Sequence, residues 1–295
     1  MSKSLVTIII ICYNHQDYVE ESIRSVLKQT YKNIELIIID DYSTDNSIPV
    51  IEKLALENGI IFIKNPVNEG LNNSILTGIN LSKGEYISIL ASDDIITLEK
   101  IEEQVNFLSK TQYDGVYSNG YTLQNGKQNL IKLNKNFNNY HQDNALKYLY
   151  RYDWGAPLLQ SALFKKDVMV NLIEVRKEFK SDDWAFYIKA LEEFRIGFIN
   201  KPLFFYRLHN TNSHKMYWKT FPMRIDVAAR LVPAKYRTRT ISNIFLSQSQ
   251  YLAADKKHLQ AIKFFICSLT LSFSFYKIFS FGKSFLSSLK RKRTM

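Results

Sequence analysis

Two adjacent carboxylates, Asp93 and Asp94, end the apolar run in "YISILASDD". Most Asp-Asp pairs are solvated turns, but this one stands where a buried strand is expected to reach the surface. Two other runs end in the same way: "VTIIII" delivers Cys12, Tyr13 and Asn14, and "IELIIID" delivers Asp40 and Asp41. In open α/β sheets, ligands bind outside the carboxyl ends of the strands. An aromatic ring and four carboxylates are therefore expected along one edge. The turn "CYNHQDY" has no glycine with which a backbone could approach a pyrophosphate, and no P-loop pattern occurs. Carboxylates alone repel phosphate. A divalent cation, Mg²⁺ or Mn²⁺, resolves the conflict by taking oxygens from carboxylates and diphosphate together.

The elements that must position these groups follow from periodicity. "LVTIIII", "IELIIID" and "YISILA" are continuous β-branched or apolar runs, as in strands covered on both faces; "IIFIK" is a weaker one. Asp17 to Glu20 resembles a capping box, with Val19, Ile23, Val26 and Leu27 as the buried stripe of the following helix. Ile101, Val105 and Leu108 share one face of another helix, and "DGVYSN" makes a further strand. Asn125-Gly126 between alternating segments signals a hairpin. Strand–helix repetition predicts an α/β fold, a mostly parallel sheet with helices on both faces, and the change of pattern between residues 120 and 133 predicts that the second half makes the sheet mixed. From about residue 215 the chain reads as helical.

The chain has 295 residues, 46% of them hydrophobic, room for one large domain and an appendage. Its net charge of +11 is unevenly placed. Residues 215–295 carry sixteen Lys and Arg against Asp226 and Asp255 alone, so the remainder is mildly acidic. Cys12 and Cys267 provide no disulfide framework. Neither a signal-peptide pattern at the start nor an apolar stretch long enough to span a bilayer is found, which sets a cytoplasmic expectation.

"VTIIIICYN", "IELIIIDDYSTD", "GEYISILASDD" and "SDDWAFYIKAL" resemble, in order and rough spacing, the motifs of family 2 glycosyltransferases of the GT-A fold, over about residues 4–213. The resemblance implies an enzyme that inverts at the anomeric carbon of a nucleotide-activated sugar. It implies that Tyr13 lies against the nucleobase and that Asp41 accepts a hydrogen bond from a uracil or thymine ring nitrogen. Asp94 is then the expected metal ligand, with Asp93 facing the ribose or a metal-bound water. Asp183 is the expected general base, Asp182 its competitor, and either could instead only cap the helix "WAFYIKALEEF". His209, in "FYRLHNTNSH", is expected near the diphosphate or metal. His15 has no matching role. Two departures stand out: no Arg occurs between Gly70 and Lys83, and Ala91-Ser92 replace the leading acid of the acidic motif.

These readings predict a glycosyltransferase domain at 1–213 and a basic, mostly helical segment at 214–295. The donor is expected to be a UDP- or dTDP-sugar, and the acceptor a hydroxyl of a lipid-linked glycan in cell-surface polysaccharide synthesis. The expected cofactor is Mn²⁺ or Mg²⁺. The mix of aromatic residues and Lys in 261–293 suits peripheral association with the anionic inner face of the plasma membrane. Nucleic acid is disfavoured, since no binding motif accompanies the charge. Two rivals are a sugar nucleotidyltransferase and a non-catalytic scaffold. The first lacks its early Gly-rich, basic loop, and the second would not need the acidic pair and the base together.

Overall fold

In the computed structural model, residues 4–131, 140–152, 158–179, 183–209 and 217–290 are described. The chain divides into two compact units: residues 1–145, 155–178 and 189–210, and residues 146–154, 179–188 and 211–295.

The first unit is built on one sheet. Its strands are β1 (Val6–Cys12), β2 (Ile34–Asp40), β3 (Ile61–Lys64), β4 (Tyr86–Ala91), β5 (Ile95–Ile96), β6 (Gly115–Gln124), β7 (Lys127–Leu130), β8 (Leu163–Lys165) and β9 (Ile196–Arg207). The order is β3-β2-β1-β4-β8-β6-β9-β5, with β7 paired to β6. The β3-β2-β1-β4 half is parallel, and β8 joins β4 and β6 antiparallel. The sheet is therefore mixed, as the change of pattern after residue 120 predicts. Every residue of β1 is buried, which explains why "VTIIIIC" shows no polar alternation. At the predicted hairpin, Asn125 and Gly126 both take positive φ, 49° and 75°, as a two-residue turn between twisted strands requires.

Helices α1 (Val19–Leu27), α2 (Ser47–Asn58), α3 (Leu71–Leu81) and α4 (Lys100–Ser109) connect the strands. Val19, Ile23 and Val26 are buried as expected, but Leu27 is exposed and Ser22 and Ser25 are buried in its place. The expected capping box is also absent: Tyr18 is the N-cap and makes no side-chain cap bond. Tertiary contacts set this helix start instead. The His15 and Gln16 amides donate to Ser47 Oγ and Asp45 Oδ2, and the His15 carbonyl accepts from the Tyr18 and Val19 amides.

Lys100 is fully buried, one of the largest such side chains among the described residues of this unit. Among the described residues its Nζ reaches only uncharged oxygens: Gln104 Oε1 at 2.8 Å, Ser88 Oγ at 3.2 Å and the Ala162 carbonyl at 3.4 Å. Burial pushes this amine down to about 7. Between that value and the ordinary 10.5, the unfolded chain holds a proton that the folded chain has released, so stability rises with pH across this window. Urea unfolding is expected to show the wild type gaining about 2 kcal/mol over Lys100→Met between pH 7 and 9. Equal gains in both proteins would mean that Lys100 stays charged.

The second unit is helical at its centre: α8 (Tyr217–Arg230), α9 (Ala234–Ala254), α10 (His258–Leu271) and α11 (Phe275–Lys290). Its core holds Leu246, Leu252, Ala253, Ala261 and Phe281. Residues of α5 (Gln142–Arg151), α6 (Lys166–Phe179) and α7 (Asp183–Glu193) are shared between the two units. Among the described residues, no helix is long and apolar enough to cross a membrane.

Candidate functional site

Register places the site. Cys12 pairs with Asp40, and Ile11 pairs with Ala91. The residues that follow β1, β2 and β4 therefore leave the sheet at one level. The β1 and β2 loops are laced together: the Asn14 amide donates to Ser43 Oγ, and the Thr44 amide donates to Asn14 Oδ1. Tyr13, beside this seam, is 46% exposed, so its ring is available to stack on a planar ligand. Exposed Tyr42, held at φ 71°, is a second ring at the same loop that sequence reasoning passed over.

The four carboxylates of the edge do different things. Asp40 is fully buried and accepts from the amide and hydroxyl of Ser43, so it shapes the loop. Asp41 accepts from Asn65 Nδ2 and the Glu69 amide on one oxygen and from the Gly70 amide on the other, each at 2.9 Å. Gly70 has φ 84°, a conformation that glycine adopts without strain, and it aims its N–H at the carboxylate just before α3 begins. With about four acceptor positions on a carboxylate, these three bonds leave Asp41 Oδ2 one position for a further N–H.

Asp94 is turned into the protein. Its Oδ1 accepts from the Arg207 amide and its Oδ2 from Gln160 Nε2, both at 2.8 Å. Burial, reinforced by the neighbouring Asp93 charge, raises its pKa well above the ordinary carboxylate range. Asp93 faces two imidazoles instead. His209 Nε2 lies 2.8 Å from Asp93 Oδ2, and His15 Nδ1 lies 4.0 Å from Asp93 Oδ1 and 2.8 Å from Ser92 Oγ. His15, His209 and Asp93 offer three ligand atoms within 4.8 Å of one another. Burial lowers the pKa of His15 and so favours the neutral ring, the form that can ligate. Two imidazole nitrogens and a carboxylate oxygen are a donor set that fits a divalent cation such as Mn²⁺.

Several groups that no motif predicted hold this cluster. Tyr18 stacks on His209 at 5.0 Å between centroids, and the Arg207 guanidinium lies 5.1 Å over the Tyr18 ring. Arg207 Nε also donates to the Asp93 carbonyl, and its guanidinium pairs with Glu21. The segment between Gly70 and Lys83 has no Arg of its own, but an Arg from elsewhere meets it: Arg176 of α6 donates from Nε to Asn72 Oδ1 at 3.0 Å.

Asp183 is the first residue of α7 and belongs to the second unit. One turn on, Tyr187 Oη lies 3.5 Å from Asp183 Oδ2, at the limit of a hydrogen bond. Trp184 is packing: its Nε1 donates to the Leu149 carbonyl and its ring meets Tyr152 edge-on. Asp182 lies outside the described residues.

Comparison with known proteins agrees with this architecture. The family model described as glycosyl transferase family 2 matches residues 7–166. An uncharacterized glycosyltransferase of Haemophilus influenzae is 32% identical over 201 residues, 65% of this chain and 74% of that protein. The Escherichia coli UDP-Glc:alpha-D-GlcNAc-diphosphoundecaprenol beta-1,3-glucosyltransferase WfaP is 41% identical over 117 residues, 40% of this chain and under half, 46%, of its own length. Among solved structures, S. aureus TarS 1-349 in complex with UDP-GlcNAc superposes with a TM-score of 0.63, covering 98% of this chain and 91% of that one at 15% identity, a likeness of fold. On the family match and the sheet architecture together, the chain belongs to glycosyl transferase family 2 and is a glycosyltransferase with the GT-A fold.

Proposed function

We propose that the chain transfers a sugar, with inversion, from a UDP- or dTDP-sugar to a hydroxyl of a lipid-linked glycan. The observation that carries this reading is the Asp93–His209–His15 cluster, set at the same sheet edge as Asp41 and Tyr13. The names of two similar proteins favour a UDP-sugar donor and a diphospho-lipid acceptor: WfaP acts on UDP-Glc and a diphosphoundecaprenol-linked sugar, and TarS was solved with UDP-GlcNAc.

In this proposal Tyr13 stacks on the nucleobase and Asp41 accepts its ring N–H through the free position on Oδ2. Asp93 and His209, with His15 beside them, hold a divalent cation, Mn²⁺ or Mg²⁺. Bound there, the cation supplies positive charge against the diphosphate as it leaves. The sequence motif pointed to Asp94 as the ligand. We give that part to Asp93, because both Asp94 oxygens already accept intramolecular hydrogen bonds; Asp94 then fixes the strand β9 end that delivers His209. Asp183 takes the acceptor proton onto a carboxylate oxygen while the hydroxyl oxygen bonds to the anomeric carbon. The bond from that carbon to the diphosphate oxygen breaks in the same step. Residues 1–213 form the proposed catalytic domain. Residues 214–295 are the proposed surface-associating segment, at the cytoplasmic face of the plasma membrane.

Titration calorimetry with UDP and dTDP, with and without Mn²⁺, tests the donor site. Metal-dependent binding of at least one nucleotide is expected, and Asp41→Ala should weaken it roughly tenfold or more, the scale of a lost hydrogen bond to a charged group. If neither nucleotide binds in any metal condition, the donor assignment fails.

A further inference from the structure

Residues 256–295 contain nine Lys and Arg and no Asp or Glu. Within this stretch α11 has two unlike faces. Lys277, Phe281 and Ser288 are buried, with Phe281 stacked on Phe265 of α10 at 4.2 Å, so one face belongs to the core of the second unit. Phe275, Phe279, Leu286 and Leu289 recur at spacings of four, seven and three and so share one side of a helix. All four are exposed, Phe275 and Phe279 at 80% and 73%. Exposed Lys283 follows the same stripe one position round. The turn between α10 and α11 adds Phe273 and the start of α11 adds Tyr276, 63% and 72% exposed, with the Phe273 and Phe275 rings 5.4 Å apart. On α10, Ile262 and Ile266 are exposed beside exposed Lys263.

An apolar surface of this size left in water marks an interaction site. Its occupant must accept aromatic and aliphatic side chains and also compensate a cationic surround that has no acid of its own. We propose that the exposed face of α11 and the aromatic turn before it insert into the interface of an anionic bilayer. Phe275, Phe279 and Leu286 enter the boundary between headgroups and acyl chains, Tyr276 sits at headgroup level, and Lys263 and Lys283 meet anionic lipid. This rests on the surface-associating reading of residues 214–295 and names the part that enters the lipid. Lys277, though cationic, is not part of it: its Nζ is turned inward to Ser242 Oγ and the Ser272 carbonyl.

Flotation of the full chain with phosphatidylcholine vesicles, with or without about one third phosphatidylglycerol, tests the proposal. The wild type is expected to float with the anionic vesicles and much less with the neutral ones. High salt should weaken flotation without abolishing it, since burial of apolar surface is not screened. Phe275→Ser with Phe279→Ser should cut vesicle affinity roughly a hundredfold at an unchanged melting temperature, because neither ring is in the core. If that variant folds poorly, Phe279→Trp serves instead, and quenching of the new indole by brominated lipid is the expected result.

A wild type that ignores anionic vesicles overturns both the surface reading and this inference. Wild-type flotation that the Ser variant retains, or indole fluorescence of the Phe279→Trp variant that brominated lipid leaves unquenched, overturns only the insertion face. So does self-association of the wild type that the Ser variant dissolves, since the face would then belong to a second copy of the chain.

Discussion

Asp93→Asn is expected to remove Mn²⁺ binding and to lower kcat/KM for sugar transfer by roughly a thousandfold, the scale of losing charge stabilisation at a leaving group. Asp94→Asn is expected to behave differently. Its side-chain oxygen can still accept from the Arg207 amide, which holds the strand that carries His209. The new amide nitrogen meets Gln160, whose side chain can turn over to offer its oxygen. Mn²⁺ affinity in that variant should stay within roughly tenfold of the wild type, as suits a change in support rather than in a ligand. Manganese titration followed by electron paramagnetic resonance separates the two cases without any need for the sugar substrate. Loss of metal in Asp94→Asn with retention in Asp93→Asn would reverse the assignment. Loss in neither would remove the metal from this cluster altogether.

The second large effect is expected at Asp183. Asp183 stands in the first turn of α7, where Asn has nearly the same size and helix propensity, so Asp183→Asn keeps α7 while removing the group that can take a proton. Charge lost at the helix start costs only about 0.5 kcal/mol of stability. Turnover, by contrast, should fall roughly a thousandfold, as for removal of a general base. Nucleotide affinity and melting temperature should be unchanged, and the acid limb of the pH–rate profile should disappear. A turnover within tenfold of the wild type, with the acid limb intact, would leave Asp183 only a structural part in the first turn of α7. The same pair of measurements on Asp182 would then identify the base.

Much of the site's location was legible from local pattern. Three apolar runs, each ending in Tyr, Asp or Asp-Asp, are enough to say that these residues leave a parallel sheet along one edge, because parallel pairing puts strand ends level. The register of Cys12 with Asp40 and of Ile11 with Ala91 meets that expectation. Strand identity and the Asn125-Gly126 hairpin were legible for the same kind of reason: periodicity and turn chemistry are properties of neighbouring residues.

What each carboxylate does was not legible, because adjacent residues at a strand end turn to different surroundings and those surroundings come from far along the chain. Asp94 is claimed by Gln160 and Arg207, Asp93 by His209, and Asp41 by the turn at 65–70. His15 had no role in any motif and enters the cluster only because β9 brings His209 to it, with the rings 5.7 Å apart. By residue type, Lys100 belongs on the solvated side of a helix start. It is buried because β8 and the turn before it close over that end of α4, a contact some sixty residues away in the chain. Residue types and spacing thus determined which groups this protein has for chemistry and along which edge they stand. The long-range packing of β8 and β9 decided the partners and exposure of each, since these are properties of the folded neighbourhood rather than of the local sequence.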